Sequence, residues 1–393
     1  MDTNEKLIRL SENLKNGHVK VLILGLGSVG NYLLTWLLSS GDSQLEIIVA
    51  GRNEAKMQSD VNIALVSALI RRQAKSRVRV MGGVDLEDPE SIAACLEECD
   101  PDIIVNTSRV YAGLKYGSIS WTNVRAYGIW TPLSIRYIRN IMQGYEQAGC
   151  GAIVINTSYS DGTIPWLKSA GQAYPDFGSG NLNHLIPRIR LAAAEMLDIS
   201  DYWNIDVDLA TAHFHDVVIS KEGQTEGVEQ LLRVSYEGAV CDLDQESLLA
   251  KCAIAMPTDQ KRNMMNASSN FDIINSLFSA LREKKAEKFF SPGAFGEIGG
   301  YPIIVDGAGE PPTACIDESC FDLDSMRAKN RASLALDGVE DIVGGNLVYT
   351  DALIQKAQAA FGVTLPKRVA FDEIDDTAAF IVESIIEPTL ARR

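Results

Sequence analysis

One apolar run followed at once by three closely spaced glycines constrains the fold of this chain more than any other feature. Residues 19–24 (VKVLIL) form an almost wholly apolar segment with the length of a strand buried on both faces. The sequence GLGSVG follows at residues 25–30, and an apolar stripe at helical spacing continues to Gly41. A buried strand, a tight glycine turn and a helix are the opening unit of a doubly wound α/β domain.

Strand and helix patterns continue to alternate as far as residue 158. This alternation is typical of a parallel sheet covered by helices on both faces. We therefore predict an α/β fold, with a doubly wound parallel Rossmann sheet in residues 1–158. The later predicted strands are 45–51, 78–83, 102–108 and 151–158, and the predicted helices between strands are 31–41, 53–74, 88–99 and 132–149.

The rest of the chain predicts a second, α+β domain over residues 159–345, and residues 346–393 are expected to be C-terminal helices that pack on the body. Helical patterns cover 184–198, several amphipathic stretches within 224–285, and then 351–361 and 375–390, whereas 205–214 and 301–307 alternate like strands.

Charge excludes several classes of partner. The chain has 36 Lys and Arg residues against 52 Asp and Glu residues, a net charge of −16. Such a field repels nucleic acid and anionic lipid, so we expect neither nucleic-acid nor membrane binding. The first residues lack the pattern of a secretion signal, and the seven cysteines are scattered without a paired motif. We expect a cytoplasmic protein.

The glycine turn predicts a dinucleotide site. In a G-x-G-x-x-G turn, Gly25 permits the tight turn, Gly27 lets the backbone approach a diphosphate, and Gly30 lets helix and strand pack closely. Ser28 and Val29 would present free backbone N–H groups to the phosphates at the helix N-terminus. A purely structural turn is the alternative, which the surrounding strands and helices make weaker.

The end of the second strand favours NADP over NAD. An NAD site usually carries a carboxylate there, whereas this strand ends in AGRN, so Arg52 can pair with a 2′-phosphate. A solvated Arg52 at a helix start is the alternative. We also assign Asn53, and Asn106 and Thr107 at the end of the fourth strand, to cofactor binding.

Three of the four histidines, His184, His213 and His215, fall in the second domain. Imidazole exchanges protons near neutral pH, so we expect His213 and His215 to be catalytic. We expect these two to follow a strand in which alternate residues share a face. A metal site built from them with His184 or Asp216 is a weaker alternative, and we expect no metal.

Several motifs together resemble the lactate/malate dehydrogenase superfamily. In order along the chain they are GLGSVG, DIIVNTSRV, AIVINTSYSDG, and GSGNLNHLIPRIRLAAAEML followed by ATAHFHD. The resemblance implies that His213 exchanges the proton, Arg188 binds the substrate carboxylate and Asn156 orients the substrate carbonyl. The family's aspartate that orients the histidine is replaced by Asn183, so another acid such as Asp216 would have to take that role.

We therefore expect an NAD(P)-dependent oxidoreductase that transfers hydride between nicotinamide and a carbonyl or hydroxyl carbon of a small, carboxylate-bearing substrate. NADP is the favoured cofactor and NAD the alternative. Two other functions stay open: an opine- or saccharopine-type imine reductase, indicated by AGRN and VDLEDPES, and a non-catalytic nucleotide-binding regulatory protein. Apolar helices in the second domain favour a homodimer by analogy with related folds.

Overall fold

The computed structural model describes residues 1–111 and 113–392. A six-stranded parallel sheet forms the centre of the molecule, with strand order β3-β2-β1-β4-β5-β6. This order confirms the predicted doubly wound Rossmann sheet and adds one short strand that a two-residue pattern cannot reveal. The strands are β1 Val19–Leu24, β2 Leu45–Ala50, β3 Arg77–Met81, β4 Ile103–Asn106, β5 Ile153–Asn156 and β6 Phe177–Gly178.

Helices cover both faces of this sheet. Alternate residues of β1 point to opposite faces, so Leu22 and Leu24 join one hydrophobic core while Val21 and Ile23 join the other. The helices that connect or precede its strands are α1 Thr3–Lys15, α2 Ser28–Ser39, α3 Glu54–Ile70, α4 Pro89–Cys99, α5 Gly113–Asn123, α6 Thr131–Gln147 and α7 Ser160–Ser169.

The remaining strands form three small antiparallel sheets, which makes this part α+β as predicted. These sheets are β7 Ile205–Ala210 with β8 Leu231–Tyr236 and β9 Ala239–Val240; β10 Ala286–Pro292 with β11 Gly300–Asp306 and β12 Thr313–Ile316; and β13 Val339–Val343 with β14 Asn346–Tyr349 and β15 Arg368–Ala370. The helices are α8 Leu185–Leu197, α9 His213–Glu222, α10 Gln245–Lys251, α11 Asn263–Glu283, α12 Leu323–Ser333, α13 Asp351–Phe361, α14 Ile374–Ile381 and α15 Glu387–Ala391.

Two local predictions differ from the structure. The stretch 224–285 contains β8 and β9 besides helices, because these strands complete a sheet with β7 that local periodicity does not reveal. The strand predicted over 205–214 stops at Ala210, and α9 begins at His213. The spacing argument for His213 and His215 therefore fails, since residues two apart on a helix face different directions.

The last part of the chain contributes strands as well as helices. The expected boundary after residue 345 lies in the turn between β13 and β14, which pair with each other. Beyond it, α14 packs its apolar face on α6, where Ile374 and Ile381 share one core with Ile138. Among the described helices, none has the length and apolar character needed to cross a membrane.

A buried ion pair fastens α1 to the central sheet. Lys6 Nζ donates to both carboxylate oxygens of Asp176 at 3.0 and 2.8 Å, and both side chains are about 95 % buried. Asp176 also accepts from the Thr3 hydroxyl at 2.7 Å and from the Val154 backbone N–H at 2.8 Å. The carboxylate thus holds the N-terminal helix against β5.

Replacing this carboxylate should destabilise the protein strongly. Asp176→Asn leaves the Lys6 ammonium buried without a counter-charge, which typically costs about 3–5 kcal/mol of the free energy of unfolding. Urea titration at neutral pH measures the loss. Glu195→Gln removes the exposed ion pair with Lys251 and serves as the control, with an expected cost below about 1 kcal/mol. Equal shifts in the two variants would contradict this account.

Candidate active site

The glycine turn after β1 has the shape of a diphosphate cradle. Gly25 has φ +85°, and a Cβ there would collide with the Ser108 hydroxyl. A Cβ at Gly30 would collide with the Gly25 carbonyl, so both positions require glycine. At Gly27, by contrast, a Cβ would meet nothing within 4 Å, and α2 begins at the next residue without a side-chain cap. The turn therefore leaves open backbone and free helix N–H groups where a diphosphate fits.

Among the other residues predicted to bind the cofactor, Arg52 is available to a ligand, whereas Asn53 and Thr107 bond to other parts of the protein. Arg52 is exposed at the carboxyl end of β2 and forms no ion pair within the described part of the chain, so its charge is available to a ligand. Asn53 caps α3 by accepting from the Lys56 backbone N–H at 3.0 Å. Thr107 donates to the Gly25 carbonyl at 2.6 Å and so shapes the turn from behind.

Ser28, Val29 and Asn106 also have partners inside the protein. The Ser28 hydroxyl accepts from the Asn263 amide at 2.5 Å, which joins the start of α2 to the start of α11. Val29 packs on the core of the sheet. Asn106 donates to Asn156 at 2.9 Å, between the ends of β4 and β5. These residues fix the carboxyl edge of the sheet, where ligands of such folds bind.

His213 lies at this edge and is held from several sides. Its backbone N–H donates to Asp161 at 3.1 Å, and its ring lies edge-on between Tyr127 and Tyr159, with centroid distances of 5.2 and 4.8 Å. Ring Nδ1 lies 2.9 Å from Asp337 Oδ2. Nε2 has no hydrogen-bond partner among the described residues, so it is the nitrogen available to a substrate.

Asp337 is the acid that orients this histidine, and sequence reasoning missed it. The carboxylate is 98 % buried and also accepts from the Tyr159 hydroxyl at 2.6 Å and the Tyr127 backbone N–H at 2.6 Å. It is 124 residues from His213 along the chain, at the end of a short 3₁₀ turn before β13. No local motif marks it, so only the assembled fold reveals the pair.

The pair changes the proton affinity of His213. Burial by itself would lower the pKa of the ring, but the charge and hydrogen bond of Asp337, aided by Asp161 and Asp216, raise that pKa to about 9. Asn183, at the position of the family's orienting aspartate, instead donates to the Phe290 carbonyl at 2.7 Å. Asp337 therefore supplies the carboxylate that Asn183 lacks. Asp216, the acid expected to take this role, forms no hydrogen bond with the ring.

His215 is placed differently from the expectation. It is fully buried, with Nδ1 2.6 Å from the Thr225 hydroxyl and Nε2 3.2 Å from the Ser333 hydroxyl. Burial lowers its pKa to about 4, so it stays neutral near pH 7. Both of its ring nitrogens therefore have hydrogen-bond partners, and α9 directs this ring away from His213; a catalytic His215 stays a prediction that this placement does not support. Within the described residues, no cluster of metal-ligating side chains exists.

Asn156 is likewise committed to internal hydrogen bonds. Its amide is fully buried, accepts from Asn106 and donates to the Ser158 carbonyl at 3.1 Å and the Thr163 hydroxyl at 3.2 Å. The expected contact with a substrate carbonyl would require these bonds to break. Asn156 therefore supports the β5–α7 turn in this structure, and its role toward a substrate carbonyl stays a prediction.

Arg188 is a buried cation with no carboxylate partner in the part of the chain that the structure describes. The side chain is 97 % buried, Nη1 donates to the Cys252 carbonyl at 2.8 Å, and Nε has no hydrogen-bond partner in the described chain. Burial lowers its pKa, Asp216 acts in the opposite direction, and the nearby charge of Arg262 lowers the pKa further. His184 lies close by with an unpartnered Nε2, and burial lowers its pKa to about 3. An incompletely bonded guanidinium is suited to bind an anion.

Removing the Asp337 charge should change the titration of His213. In Asp337→Asn, burial remains and the counter-charge is lost, so the His213 pKa should fall from about 9 to below 6.5. NMR of histidine-labelled protein resolves four rings, and His184 should remain neutral in both proteins.

Stability gives a second readout of the same pair. Because the folded pKa of His213 is raised, the stabilisation is complete below about pH 6.5 and is lost as the pH rises through about 9. The stability difference between wild type and Asp337→Asn should therefore shrink over this window. An unchanged His213 titration in the variant would refute the pair.

Comparison with known proteins agrees with a dinucleotide-binding unit at the start of the chain. Residues 21–116 match the family profile described as the saccharopine dehydrogenase NADP binding domain, which covers β1 to β4 and part of α5. Among curated protein sequences, none matches the chain significantly.

Solved structures share the fold of most of the chain. Malate dehydrogenase from Cryptosporidium parvum has a TM-score of 0.54 at 12 % identity, with coverage of 81 % of this chain and 98 % of that one. Lactate dehydrogenase from the same organism, complexed with lactic acid and nicotinamide adenine dinucleotide, has 0.53 at 14 %, covering 81 % and 96 %. Malate dehydrogenase from Picrophilus torridus has 0.54 at 13 %, covering 81 % and 95 %. The predicted resemblance to lactate and malate dehydrogenases is thus confirmed as a likeness of fold, on a chain whose first domain resembles an NADP-binding domain.

Proposed function

We propose that this protein is an NAD(P)-dependent oxidoreductase acting on a small carboxylate-bearing substrate, with His213 as the group that exchanges the proton. The observation that carries the proposal is the buried Asp337–His213 pair at the same sheet edge as the open glycine turn. The NADP-binding profile and the dehydrogenase fold support it. When bound, a nicotinamide dinucleotide would supply or accept the hydride.

The chain's own residues would position that reaction. The Gly27 backbone and the start of α2 would hold the diphosphate, and Arg52 would pair with a 2′-phosphate. Asp337 keeps a proton on Nδ1 of His213, so Nε2 faces the substrate. A protonated Nε2 donates to a developing alkoxide during reduction, and a neutral Nε2 accepts the hydroxyl proton during oxidation. Arg188 would bind the carboxylate.

The raised pKa of His213 favours the reductive direction at neutral pH. With a pKa of about 9, the ring is mostly protonated at pH 7 and is ready to donate. Reduction should therefore be constant below about pH 9 and fall above it, whereas oxidation should rise toward pH 9. A regulatory protein that only binds nucleotide would show neither dependence.

Arg52 should decide between the two cofactors. Arg52→Ala removes a charge-assisted contact to the 2′-phosphate, so the Kd for NADPH should rise by about tenfold or more while that for NADH stays unchanged. Fluorescence titration of the free protein measures both constants. Lys75→Ala, which removes an exposed cation before β3, is the control. If neither reduced nucleotide binds wild type, the proposed function fails.

His213 should be needed for turnover and not for cofactor binding. His213→Gln should lower kcat by about 10²–10⁴-fold, the usual contribution of a positioned acid or base. A panel of 2-oxo and 2-hydroxy acids with NADPH or NADP⁺ provides the assay, and nucleotide titration checks the Kd. Unchanged turnover on a substrate that wild type uses would remove His213 from the mechanism.

A further inference from the structure

A cavity of about 410 Å³ opens at the end of α7 that lies away from His213. The carboxylate of Asp161, in the first turn of α7, accepts from the His213 backbone N–H. The last turn of the same helix, with Lys168 and Ser169, lines the cavity. At 1.5 Å per helical residue, about 12 Å of helix separates Asp161 from Ser169. The cavity has the volume of a small-molecule site and is separate from the proposed active site.

Three cations from two helices line this cavity. Lys168 is on α7, and Arg327 and Arg331 are four residues apart on α12, so the two guanidinium groups share one face of that helix. Among the described residues that line the cavity, Glu297 is the one carboxylate. The lining therefore carries two positive charges in excess. In a chain with a net charge of −16, this local excess marks a place where an anion can bind.

The mostly buried carboxylate of Glu297 holds two of these cations in place. Arg327 donates to it through Nε at 3.0 Å and Nη2 at 2.8 Å, and Lys168 Nζ lies 3.5 Å from it. Burial acts to raise the pKa of Glu297, but Arg327 and Lys168 lower this pKa, so the carboxylate stays ionised. Arg327 Nη1 lies 3.8 Å from the exposed Asp324 and forms no hydrogen bond with a described residue. This nitrogen is available to a ligand.

Lys168 is also fixed by the loop between β10 and β11. Its Nζ donates to the Phe295 carbonyl at 2.9 Å. A Cβ at Gly296, which has φ +76°, would collide with the Lys168 stem, so the glycine gives the lysine its room. A long side chain that is ordered before a ligand arrives loses less entropy when the ligand binds.

Arg331 is the lining cation that is most available to a ligand. Its side chain is exposed, and Nη1 pairs with the carboxylate of Asp341 in β13. An exposed ion pair of this kind contributes little to stability, because water solvates both partners well. Nε and Nη2 of Arg331 form no hydrogen bond with any residue in the described chain. A ligand anion can therefore bind this guanidinium at small cost to the fold.

The floor of the cavity is apolar. Ile298, Ile342 and Tyr301 line it and are buried, and the Tyr301 hydroxyl donates to the Ile298 carbonyl at 2.7 Å. The three cations, by contrast, are between 41 and 54 % exposed. The positive charges thus lie at the mouth, and the apolar side chains lie below them. A ligand that fits this arrangement has an anionic end and an apolar body.

We propose that this cavity binds a phosphate monoester with a compact apolar body, with the phosphate at the three cations and the body on the apolar floor. At pH 7 such a phosphate carries about −1.5 to −2 charges and offers three strong acceptor oxygens, which matches the excess charge and the free donors of the lining. A monocarboxylate would leave one positive charge uncompensated. A sugar or glycerol phosphate would bury hydroxyl groups against apolar side chains. The inference does not depend on the proposed function.

Binding of matched probes tests the ligand class. Isothermal titration calorimetry at neutral pH, in buffer without phosphate, compares phenyl phosphate with benzoate, glycerol phosphate and inorganic phosphate. Phenyl phosphate should bind wild type about tenfold or more tightly than each of the other three. Benzoate lacks the second negative charge, and the other two lack the apolar body. Equal or tighter binding of any of these three would overturn the inference, as would the absence of phenyl phosphate binding.

Substitutions on α12 test the place of binding. Arg331→Gln should raise the Kd for phenyl phosphate about tenfold or more, the effect of one charge-assisted contact, and Arg331→Lys should raise it less. Lys329→Gln removes the same charge from the same helix, but this residue does not line the cavity, so the Kd should stay unchanged. The melting temperature of ligand-free Arg331→Gln should equal that of wild type, because the lost ion pair is exposed.

The dinucleotide site provides the last control. Arg52→Ala should leave the Kd for phenyl phosphate unchanged, because Arg52 lies at the end of β2 and does not line the cavity. An unchanged Kd in Arg331→Gln, an equal loss in Lys329→Gln, or a loss in Arg52→Ala would overturn the inference. Titration of the same samples with NADPH reports separately on the proposed function.

Discussion

The hydrogen bond between Asp337 and His213 is the interaction on which the site depends, because it joins parts of the chain that are 124 residues apart in sequence. Asp337 ends the turn before β13, His213 begins α9, and Tyr159 follows β5 and donates to the same carboxylate oxygen. The ring is therefore oriented only when the C-terminal sheet is docked on the Rossmann domain. The orienting hydrogen bond therefore requires the turn before β13 to lie against α9 and the β5–α7 turn.

Because the protein is strongly acidic, the charges near the site determine whether an anionic ligand binds. With a net charge of −16, the protein repels anions at long range, and binding of an anionic ligand must come from groups near the site. The open N-terminus of α2, the exposed Arg52 and the buried Arg188 provide such groups at separate places. Buried charges are screened less by salt than surface charges, so a few residues outweigh a large distant field.

Local patterns predicted the features that depend on neighbours in sequence. The β1 strand, the glycine turn and the succession of the first five strands along the chain follow from hydrophobic runs and turn residues, and the structure has them. The strand predicted over 205–214 was too long because the end of β7 is set by pairing with β8, which no local pattern contains. Asp337 was missed for the same reason, since its partner lies 124 residues away.

The carboxylate that orients His213 comes from an unexpected place in the chain, and this matters for whether the site can catalyse a reaction. In the sequence, Asn183 in place of the aspartate of lactate and malate dehydrogenases suggests that the histidine has lost its orienting acid. Orientation of the histidine requires only that some carboxylate reach its Nδ1. Asp337 meets that requirement from another element, and Nε2 of the ring has no hydrogen-bond partner among the described residues. Nucleotide binding alone does not need a histidine whose pKa is raised to about 9 by a buried carboxylate. The arrangement therefore favours an enzyme over a scaffold that only binds nucleotide.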